Sequence, residues 1–397
     1  MIKRDEYLQQ LINFKDKQLI KVITGIRRCG KSTLLRLFQD YLLKNEVEEN
    51  QIIFINFENP DYDELKDYKS LYNYLKSKLV PNKKNYILLD EIQNVTDYQK
   101  AIDGLYIIDN VDLYITGSNA YFMSGELATL LSGRYVEIQM LPLSFKEYVS
   151  AFDNSQDLQT LYRQYIENSS FPYTIELGND KELIRAYLSG IYNTVILKDV
   201  VSRKNITDTS ILESVIKFTF DNIGNTTTPK KISDTMTSKG RKISNHTVEN
   251  YLSALVDSFI LYKAGRYNIK GKQYLETQGK YYIVDIGLRY FLLGSKYVDM
   301  GHILENVVYL ELIRQGYKVS IGKINNLEVD FVAEKNGEIE YYQVSQTVME
   351  KTTLDRELSS LNSIKDHYPK YLLTMDNVPN VSHNGIKQIY ALDWLLA

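Results

Sequence analysis

The chain has 397 residues and a mass of 46.1 kDa, a length that favours two or three domains over a single one. A net charge of -3, with 44% hydrophobic and 24% charged residues, excludes a disordered chain and an overall basic, polyanion-binding surface. The single cysteine, Cys29, excludes an intrachain disulfide framework.

The N-terminal segment mixes charged and apolar side chains without the apolar centre of a signal peptide. No apolar run in the sequence approaches the length of a membrane span. We therefore expect a cytoplasmic protein with no membrane partner. Apolar side chains at helical spacing within residues 2–16 predict a short amphipathic helix that packs against the first domain.

A phosphate-binding loop is predicted between an apolar strand, Leu19–Thr24, and a helix, Ser32–Tyr41. The loop fits the pattern G-x-x-x-x-G-K-[ST] with Gly25, Ile26, Arg27, Arg28, Cys29, Gly30, Lys31, Ser32 and Thr33. Its glycines let backbone N–H groups surround the phosphates, Lys31 neutralises phosphate charge during catalysis, and Ser32 coordinates Mg²⁺. The pattern predicts ATP and Mg²⁺ as cofactors. A chance glycine-rich turn is the alternative, and within the loop we interpret Cys29 as a spacer rather than a redox switch.

Two carboxylates follow the buried strand Tyr86–Leu89, in the form of a Walker B strand. Asp90 and Glu91 then lie at the carboxyl edge of a parallel sheet, where ligands bind in open α/β folds. We predict that Asp90 holds Mg²⁺ together with Ser32, and that Glu91 orients or deprotonates the attacking water. The alternative is a helix N-cap followed by a first-turn acid.

A further strand, Val111–Thr116, ends in polar residues that include Asn119. Asn119 is predicted to contact the γ-phosphate or the attacking water, with a simple helix cap as the alternative. Arg134, just before the strand Val136–Leu141, is a candidate for stabilising transition-state charge. It could act within its own subunit or reach the nucleotide of a neighbour, which would require a homo-oligomer; a surface salt bridge is the alternative.

Four segments in this order, GIRRCGKS, YILLDEIQ, ITGSNA and LLSGRYVEIQMLPLSFKEY, resemble a family of bacterial and archaeal AAA-type P-loop ATPases. The resemblance covers essentially the whole chain. It implies an α/β fold: a P-loop NTPase parallel sheet, then a helical lid and winged helix, then a C-terminal α+β restriction-endonuclease-like domain of unknown function. It also implies that Lys31, Ser32, Asp90 and Asn119 form the nucleotide site.

Domain boundaries follow from the element pattern and this resemblance. We predict an ATPase domain at 1–143, a helical lid and connector at 144–225, a winged helix at 226–298 and a nuclease-like domain at 299–397.

The winged helix is predicted from helices at Ile232–Met236 and Ser244–Phe259 and from strands at Ile260–Tyr267 and Gln273–Leu275. Basic residues concentrate there and outnumber acidic ones. Such charge suits phosphate contacts with DNA. The predicted nucleic-acid contacts are Lys239, Arg241, Lys242, Arg266, Lys270 and Lys272. Acids on the outward face of the second helix oppose base readout, so a protein-binding winged helix remains the alternative.

The last region has the order of elements of a restriction endonuclease, in which a helix Glu, an Asp and an E-x-K pair bind Mg²⁺ and activate water. Glu305 and Asp330 occupy two of these positions, but Gln343 and Ser345 stand where the acid and the lysine belong. A neutral amide is a poor ligand for a hard cation, and serine cannot supply the lysine charge. We therefore predict a catalytically inactive nuclease fold.

Together these predictions describe an ATPase switch that couples ATP to DNA or to a protein partner. Two alternatives remain from the sequence: an ATP-regulated, metal-dependent nuclease, and a nucleotide-sensing scaffold that does not hydrolyse ATP.

Overall fold

The computed structural model describes residues 2–118, 133–152, 156–194, 200–201, 206, 208–294, 299–379 and 381–397. The chain forms two compact units, one of residues 1–142 with 257–259 and one of residues 143–256 with 260–397. Apart from residues 257–259, the segments predicted as lid, winged helix and nuclease-like domain belong to the second unit. Among the described residues, no helix is long and apolar enough to cross a membrane.

The first unit is built from alternating strands and helices. Its elements are α1 Asp5–Asn13, β1 Ile20–Thr24, α2 Lys31–Lys44, β2 Ile52–Asn56, α3 Tyr68–Lys78, β3 Asn85–Asp90, α4 Tyr98–Tyr106, β4 Val111–Gly117 and β5 Tyr135–Gln139. The five strands are parallel in the order β2-β3-β4-β1-β5, which confirms the predicted P-loop sheet. Strand β4 lies between β1 and β3, so the ends of all three strands meet at one edge of the sheet.

Burial explains why these segments form strands and amphipathic helices. Every residue of β1, β3 and β4 is buried, as expected for parallel strands covered on both faces. The predicted N-terminal helix is confirmed as α1: Tyr7 is 2% exposed, and its hydroxyl accepts a hydrogen bond from the Leu141 N–H.

The second unit begins with helices. They are α5 Phe145–Val149, α6 Leu158–Asn168, α7 Tyr173–Glu176, α8 Lys181–Ile191 and α9 Thr209–Asp221. The elements that follow are β6 Thr226–Thr227, α10 Pro229–Ser238, α11 Asn245–Asp257, β7 Leu261–Asn268, β8 Gln273–Ile283 and α12 Ile286–Leu293. Helices α10 and α11 followed by the β7–β8 hairpin have the arrangement predicted for a winged helix. Strand β8 continues to Ile283, well beyond the predicted end at Leu275.

The C-terminal elements have the order helix, three strands, helix and strand. They are α13 Met300–Arg314, β9 Lys318–Ile324, β10 Leu327–Lys335, β11 Glu338–Ser345, α14 Lys351–Asn362, β12 Lys370–Thr374, β13 Val381–His383, β14 Ile386–Tyr390 and α15 Ala391–Leu396. Strands β9, β10 and β11 are antiparallel, and β12 pairs parallel to β11.

One mixed sheet of nine strands joins the winged-helix hairpin to these C-terminal strands, in the order β13-β14-β12-β11-β10-β9-β7-β8-β6. The junction is a parallel pairing of β7 with β9, in which Arg266 lies opposite Ile321 and Asn268 opposite Lys323. The predicted boundary near residue 298 therefore does not separate two sheets. The β7–β8 hairpin is an integral part of the C-terminal sheet.

Candidate nucleotide site

The loop between β1 and α2 has the backbone that the phosphate-binding pattern requires. Gly25 has φ 144° and Gly30 has φ 105°, values that side chains with a Cβ rarely adopt. A Cβ atom at Gly25 would lie 2.1 Å from the Met140 carbonyl oxygen, so the close approach of these two segments requires glycine. Gly30 is the N-cap of α2 and has no side chain to cap it. The first-turn N–H groups of α2 are therefore available to an anion.

Arg4 holds this loop in place through hydrogen bonds, a role that the sequence patterns did not indicate. Its side chain is 2% exposed and donates hydrogen bonds to the carbonyl oxygens of Cys29 (2.9 Å) and Leu141 (2.7 Å). Arg4 thereby ties the phosphate-binding loop to the chain that follows β5. The Cys29 thiol is fully buried, and that burial raises its pKa. These properties favour the interpretation of Cys29 as a structural spacer.

Lys31 lies within the loop and is 4% exposed. Its ammonium donates to the carbonyl oxygens of Gly25 (3.1 Å) and Ile26 (3.2 Å), and lies 3.7 Å from Glu91 Oε1. These partners are two neutral carbonyls and one distant carboxylate. Lys31 can therefore exchange them for the oxygen atoms of a phosphate.

Asp90 is fully buried at the end of β3, between side chains from the two neighbouring strands. Its carboxylate accepts hydrogen bonds from Thr116 Oγ1 (2.6 Å) on β4 and from Asn56 Nδ2 (3.0 Å) on β2. Burial raises the pKa of Asp90, while hydrogen bonds from Ser32 and Thr116 oppose that shift. The Ser32 hydroxyl and the Asp90 carboxylate are thus adjacent, as two oxygen ligands of Mg²⁺ need to be.

Glu91 adopts the left-handed conformation, with φ 54°, which turns its carboxylate away from the strand direction. Ser118 Oγ donates to Glu91 Oε1 (2.6 Å), Gln93 donates to Glu91 Oε2, and the Glu91 N–H donates to Thr116 Oγ1 (2.9 Å). Burial alone would raise the pKa of Glu91, but the Lys31 charge and these side-chain hydrogen bonds outweigh it and lower the pKa. Glu91 is therefore an ionised carboxylate held in a fixed orientation.

The structure brings together Lys31, Ser32, Asp90 and Glu91, four of the residues predicted for the site. Asn119, which is predicted to contact phosphate or water, lies outside the described residues. Its neighbour Ser118 is 3% exposed and bonded to Glu91, a role that the sequence did not indicate because a polar residue after a strand also serves as a helix cap.

The predicted role of Arg134 within its own subunit is wrong. Tyr135 pairs with Ile20 and Gln139 with Thr24, so Arg134 precedes β5 at the edge of the sheet opposite the phosphate-binding loop. That edge is roughly 13 Å away along the strand. There Arg134 forms an ion pair with Asp103 (2.6 Å), and the two side chains are 45% and 46% exposed. The salt bridge that the sequence left as an alternative is what the structure contains.

Some of the side chains predicted to contact nucleic acid are exposed, and others already bond to groups within the protein. Lys239, Lys242, Lys270 and Lys272 are exposed. Arg266 is not available, because its guanidinium donates to Gln278 Oε1 (2.8 Å) and lies 3.6 Å from Glu328, with the side chain 15% exposed. Arg241 is exposed but donates to the Ser210 carbonyl oxygen (3.1 Å) on α9. The prediction of phosphate contacts is therefore corrected for Arg266 and retained for the lysines.

The predicted nuclease-like positions are also brought together. Glu305, Asp330 and Gln343 are buried, whereas Ser345 bonds the Thr347 carbonyl oxygen (3.1 Å). The Gln343 amide donates to Glu357 Oε2 (2.9 Å) and its oxygen accepts from Ser360 Oγ (3.2 Å). Gln343 therefore serves as a structural hydrogen-bonding group.

Comparisons with known proteins agree with this fold. A family model described as "AAA domain" matches residues 17–149, and a "Domain of unknown function (DUF8612)" matches residues 159–299. The second match covers most of the predicted helical connector and the whole predicted winged-helix segment, but not the C-terminal strands.

Two uncharacterized relatives are similar over most of their length. A protein from Haemophilus influenzae is 44% identical over 400 residues, covering 100% of this chain and 99% of the relative. Protein MJ1544 from Methanocaldococcus jannaschii is 31% identical over 386 residues, covering 90% of this chain and 80% of the relative.

Among solved structures, the Walker-type ATPase PABY2304 of Pyrococcus abyssi has a TM-score of 0.52 at 16% identity. The match covers 74% of this chain and 96% of that one. At this level of identity the similarity is one of fold.

Proposed function

The chain belongs to a family of AAA-type P-loop ATPases that includes these uncharacterized relatives, and from this premise we propose that it binds ATP with Mg²⁺ and hydrolyses it. One observation carries the hydrolysis proposal. An ionised, hydrogen-bonded Glu91 lies beside the Lys31 ammonium at the edge of the sheet where the phosphate-binding loop opens.

The loop binds the phosphates of ATP, and Lys31 positions them. Its backbone N–H groups and the start of α2 supply positive potential, and the ammonium of Lys31 leaves the Gly25 and Ile26 carbonyls for phosphate oxygens. Ser32 and Asp90 would hold Mg²⁺, which when bound neutralises charge on the phosphates. Arg4 keeps the loop in place through its bond to the Cys29 carbonyl.

Glu91 orients the attacking water and accepts its proton. A carboxylate with a lowered pKa is ionised at neutral pH and can accept a hydrogen bond from water. Ser118 and Gln93 fix the two carboxylate oxygens from different sides, which limits the rotation of the side chain. Phosphoryl transfer needs an in-line nucleophile more than covalent chemistry, so this positioning is the main demand on the protein.

The substitution Glu91→Gln tests this role. We expect the variant to bind ATP and to lose about 100-fold or more of the rate of phosphate release, as for loss of a general base. Binding is measured with a fluorescent ATP analogue and turnover by Mg²⁺-dependent phosphate release. The matched control is Glu58→Gln, an exposed carboxylate after β2. Equal turnover in Glu91→Gln and wild type would remove the role of Glu91, and ATP binding without turnover in wild type would favour the nucleotide-sensing scaffold.

A second proposed activity is DNA binding by the winged helix. Lys239 and Lys242 are exposed on the turn between α10 and α11, and Lys230 and Lys231 are exposed at the start of α10. Because β7 pairs with β9 and Arg266 is already bonded, the turn is the better phosphate-binding surface than the wing. A switch that couples ATP to DNA would use this surface.

The double substitution Lys239→Ala with Lys242→Ala tests that surface. We expect weaker DNA binding at all sequences and a salt dependence whose log–log slope falls by about 2, one unit per lost phosphate contact. The control is Lys351→Ala with Lys365→Ala, which removes the same charge from exposed sites near the C-terminal helix α14. Unchanged DNA affinity in the first variant would contradict the proposal and leave the winged helix as a protein interface.

A further inference from the structure

A buried lysine from the β7–β8 hairpin lies beside Glu305, Glu328 and Asp330. We call this cluster of three carboxylates the nuclease-like centre. Lys280 is on β8, and its side chain is 6% exposed. Its ammonium lies 2.9 Å from Glu305 Oε1, 2.9 Å from Glu328 Oε1 and 3.8 Å from Asp330 Oδ1. The three carboxylates come from helix α13 and strand β10. One ammonium thus joins the winged-helix hairpin to two elements of the C-terminal fold.

The same carboxylates have further partners within the protein. Tyr282, two residues after Lys280, donates to Glu305 Oε1 (2.6 Å). The Val344 N–H donates to Asp330 Oδ2 (2.9 Å), and Arg266 lies 3.6 Å from Glu328. Hydrogen-bond donors of the chain therefore already engage Glu305 Oε1 and Asp330 Oδ2, two oxygens that a metal would need.

The Lys280 ammonium keeps its charge within this cluster. Burial would lower the pKa of Lys280, but Glu305, Asp330 and Glu328 outweigh burial and raise it, so the ammonium keeps its proton. Because the ammonium lies 2.9 Å from both Glu305 and Glu328, it occupies the position that a divalent ion would share with these carboxylates.

The residues present do not fit the divalent cation that a restriction-endonuclease-like fold implies. In the described part of the chain, no group of three or more His, Cys, Asp or Glu residues is arranged to hold a metal ion. The acid position is taken by Gln343, whose amide is bonded to Glu357 and Ser360. A Mg²⁺ ion needs oxygen ligands at about 2.0–2.1 Å in octahedral geometry, whereas the carboxylates here are spaced around an ammonium.

We propose that Lys280 is the resident cation of this centre and takes the place of a divalent metal. The ammonium neutralises Glu305 and Glu328 and fixes the wing to the C-terminal sheet. The centre therefore has a structural role: it connects β8 to α13 and β10. It neither binds a divalent ion nor cleaves nucleic acid. This assignment is independent of ATP hydrolysis, because it concerns only residues of the second unit.

Removing the ammonium tests the proposal. Lys280→Met keeps most of the side-chain volume but leaves buried carboxylates without a counter-charge, which is strongly destabilising. We expect this variant to gain one Mn²⁺ site per chain and to be stabilised by Mn²⁺ or Ca²⁺ in thermal unfolding. Binding is measured on the full chain without nucleotide by calorimetry or by the electron paramagnetic resonance signal of free Mn²⁺. Adding Asp330→Asn to Lys280→Met should remove the gained site, which distinguishes it from the phosphate-binding loop.

Two results would overturn the proposal. One is a Lys280→Met variant that folds and gains no Mn²⁺ site sensitive to Asp330→Asn. The other is a Mn²⁺ site in the wild-type chain that Asp330→Asn removes. The comparison of wild type with Asp330→Asn needs no substitution of Lys280, so it tests the proposal even if Lys280→Met does not fold. Equal Mn²⁺ binding by these two proteins supports Lys280 as the resident cation.

Discussion

Lys31 and Lys280 are both buried lysines beside carboxylates, and their surroundings differ. Lys31 is bonded to two neutral carbonyl oxygens at 3.1 and 3.2 Å, and its nearest carboxylate oxygen is 3.7 Å away. Lys280 is bonded to two carboxylates at 2.9 Å each. A lysine with weak partners can exchange them for a ligand, whereas a lysine with saturated, charged partners is part of the scaffold. Burial of a lysine alone therefore does not identify a ligand site.

The acids beside Lys31 and Lys280 differ in the direction in which their pKa values are shifted. Glu91 has a lowered pKa because the Lys31 charge and two side-chain donors outweigh its burial. The pKa of Asp330 is raised because it is buried next to another carboxylate. At neutral pH Glu91 is ionised and can accept a proton from water, whereas the surroundings of Asp330 disfavour its ionised form. This contrast favours the phosphate-binding loop as the seat of catalysis.

The largest expected effect comes from Lys31→Ala, which should weaken ATP binding by about 100-fold, because a buried charged donor to phosphate contributes about 3 kcal/mol. The control is Lys44→Ala, which removes an exposed lysine at the other end of α2. Titration with a fluorescent ATP analogue measures both variants. Similar affinity for Lys31→Ala and Lys44→Ala would mean that Lys31 does not exchange its partners and that the contrast with Lys280 fails.

The smallest expected effect comes from Arg134→Ala. Because Arg134 lies at the opposite edge of the sheet in an exposed ion pair, its removal should change the free energy of unfolding by only about 0.5 kcal/mol and leave turnover unchanged. Phosphate release at several protein concentrations checks this result. A loss of turnover that depends on protein concentration would instead indicate that Arg134 reaches the nucleotide of a neighbouring subunit.

Local sequence patterns predicted the phosphate-binding loop and the acids after β3, because each depends on a few consecutive residues. The same holds for Gln343 and Ser345, which the sequence places where a nuclease of the predicted fold would have its acid and lysine. A short pattern carries both the backbone geometry and the side chains of such sites.

Residues that act over long sequence separations could not be predicted in this way. Arg4 bonds a carbonyl 137 positions away. Lys280 reaches Glu305 from a position five residues beyond Leu275, the predicted end of a strand that continues to Ile283. The ion pair of Arg134 with Asp103 likewise joins residues 31 positions apart, so the sequence left it only as an alternative. These contacts depend on strand pairing, which a single sequence does not specify.

We propose that the loop around Lys31 is the catalytic site, and that the centre around Lys280 neither binds a divalent ion nor cleaves nucleic acid. One reaction tests it most directly: the purified wild-type chain is incubated with ATP, labelled DNA and Mg²⁺ or Mn²⁺, and phosphate release and DNA length are followed together. We predict release of phosphate from ATP with intact DNA. Metal-dependent DNA cleavage that disappears in Asp330→Ala would contradict the account.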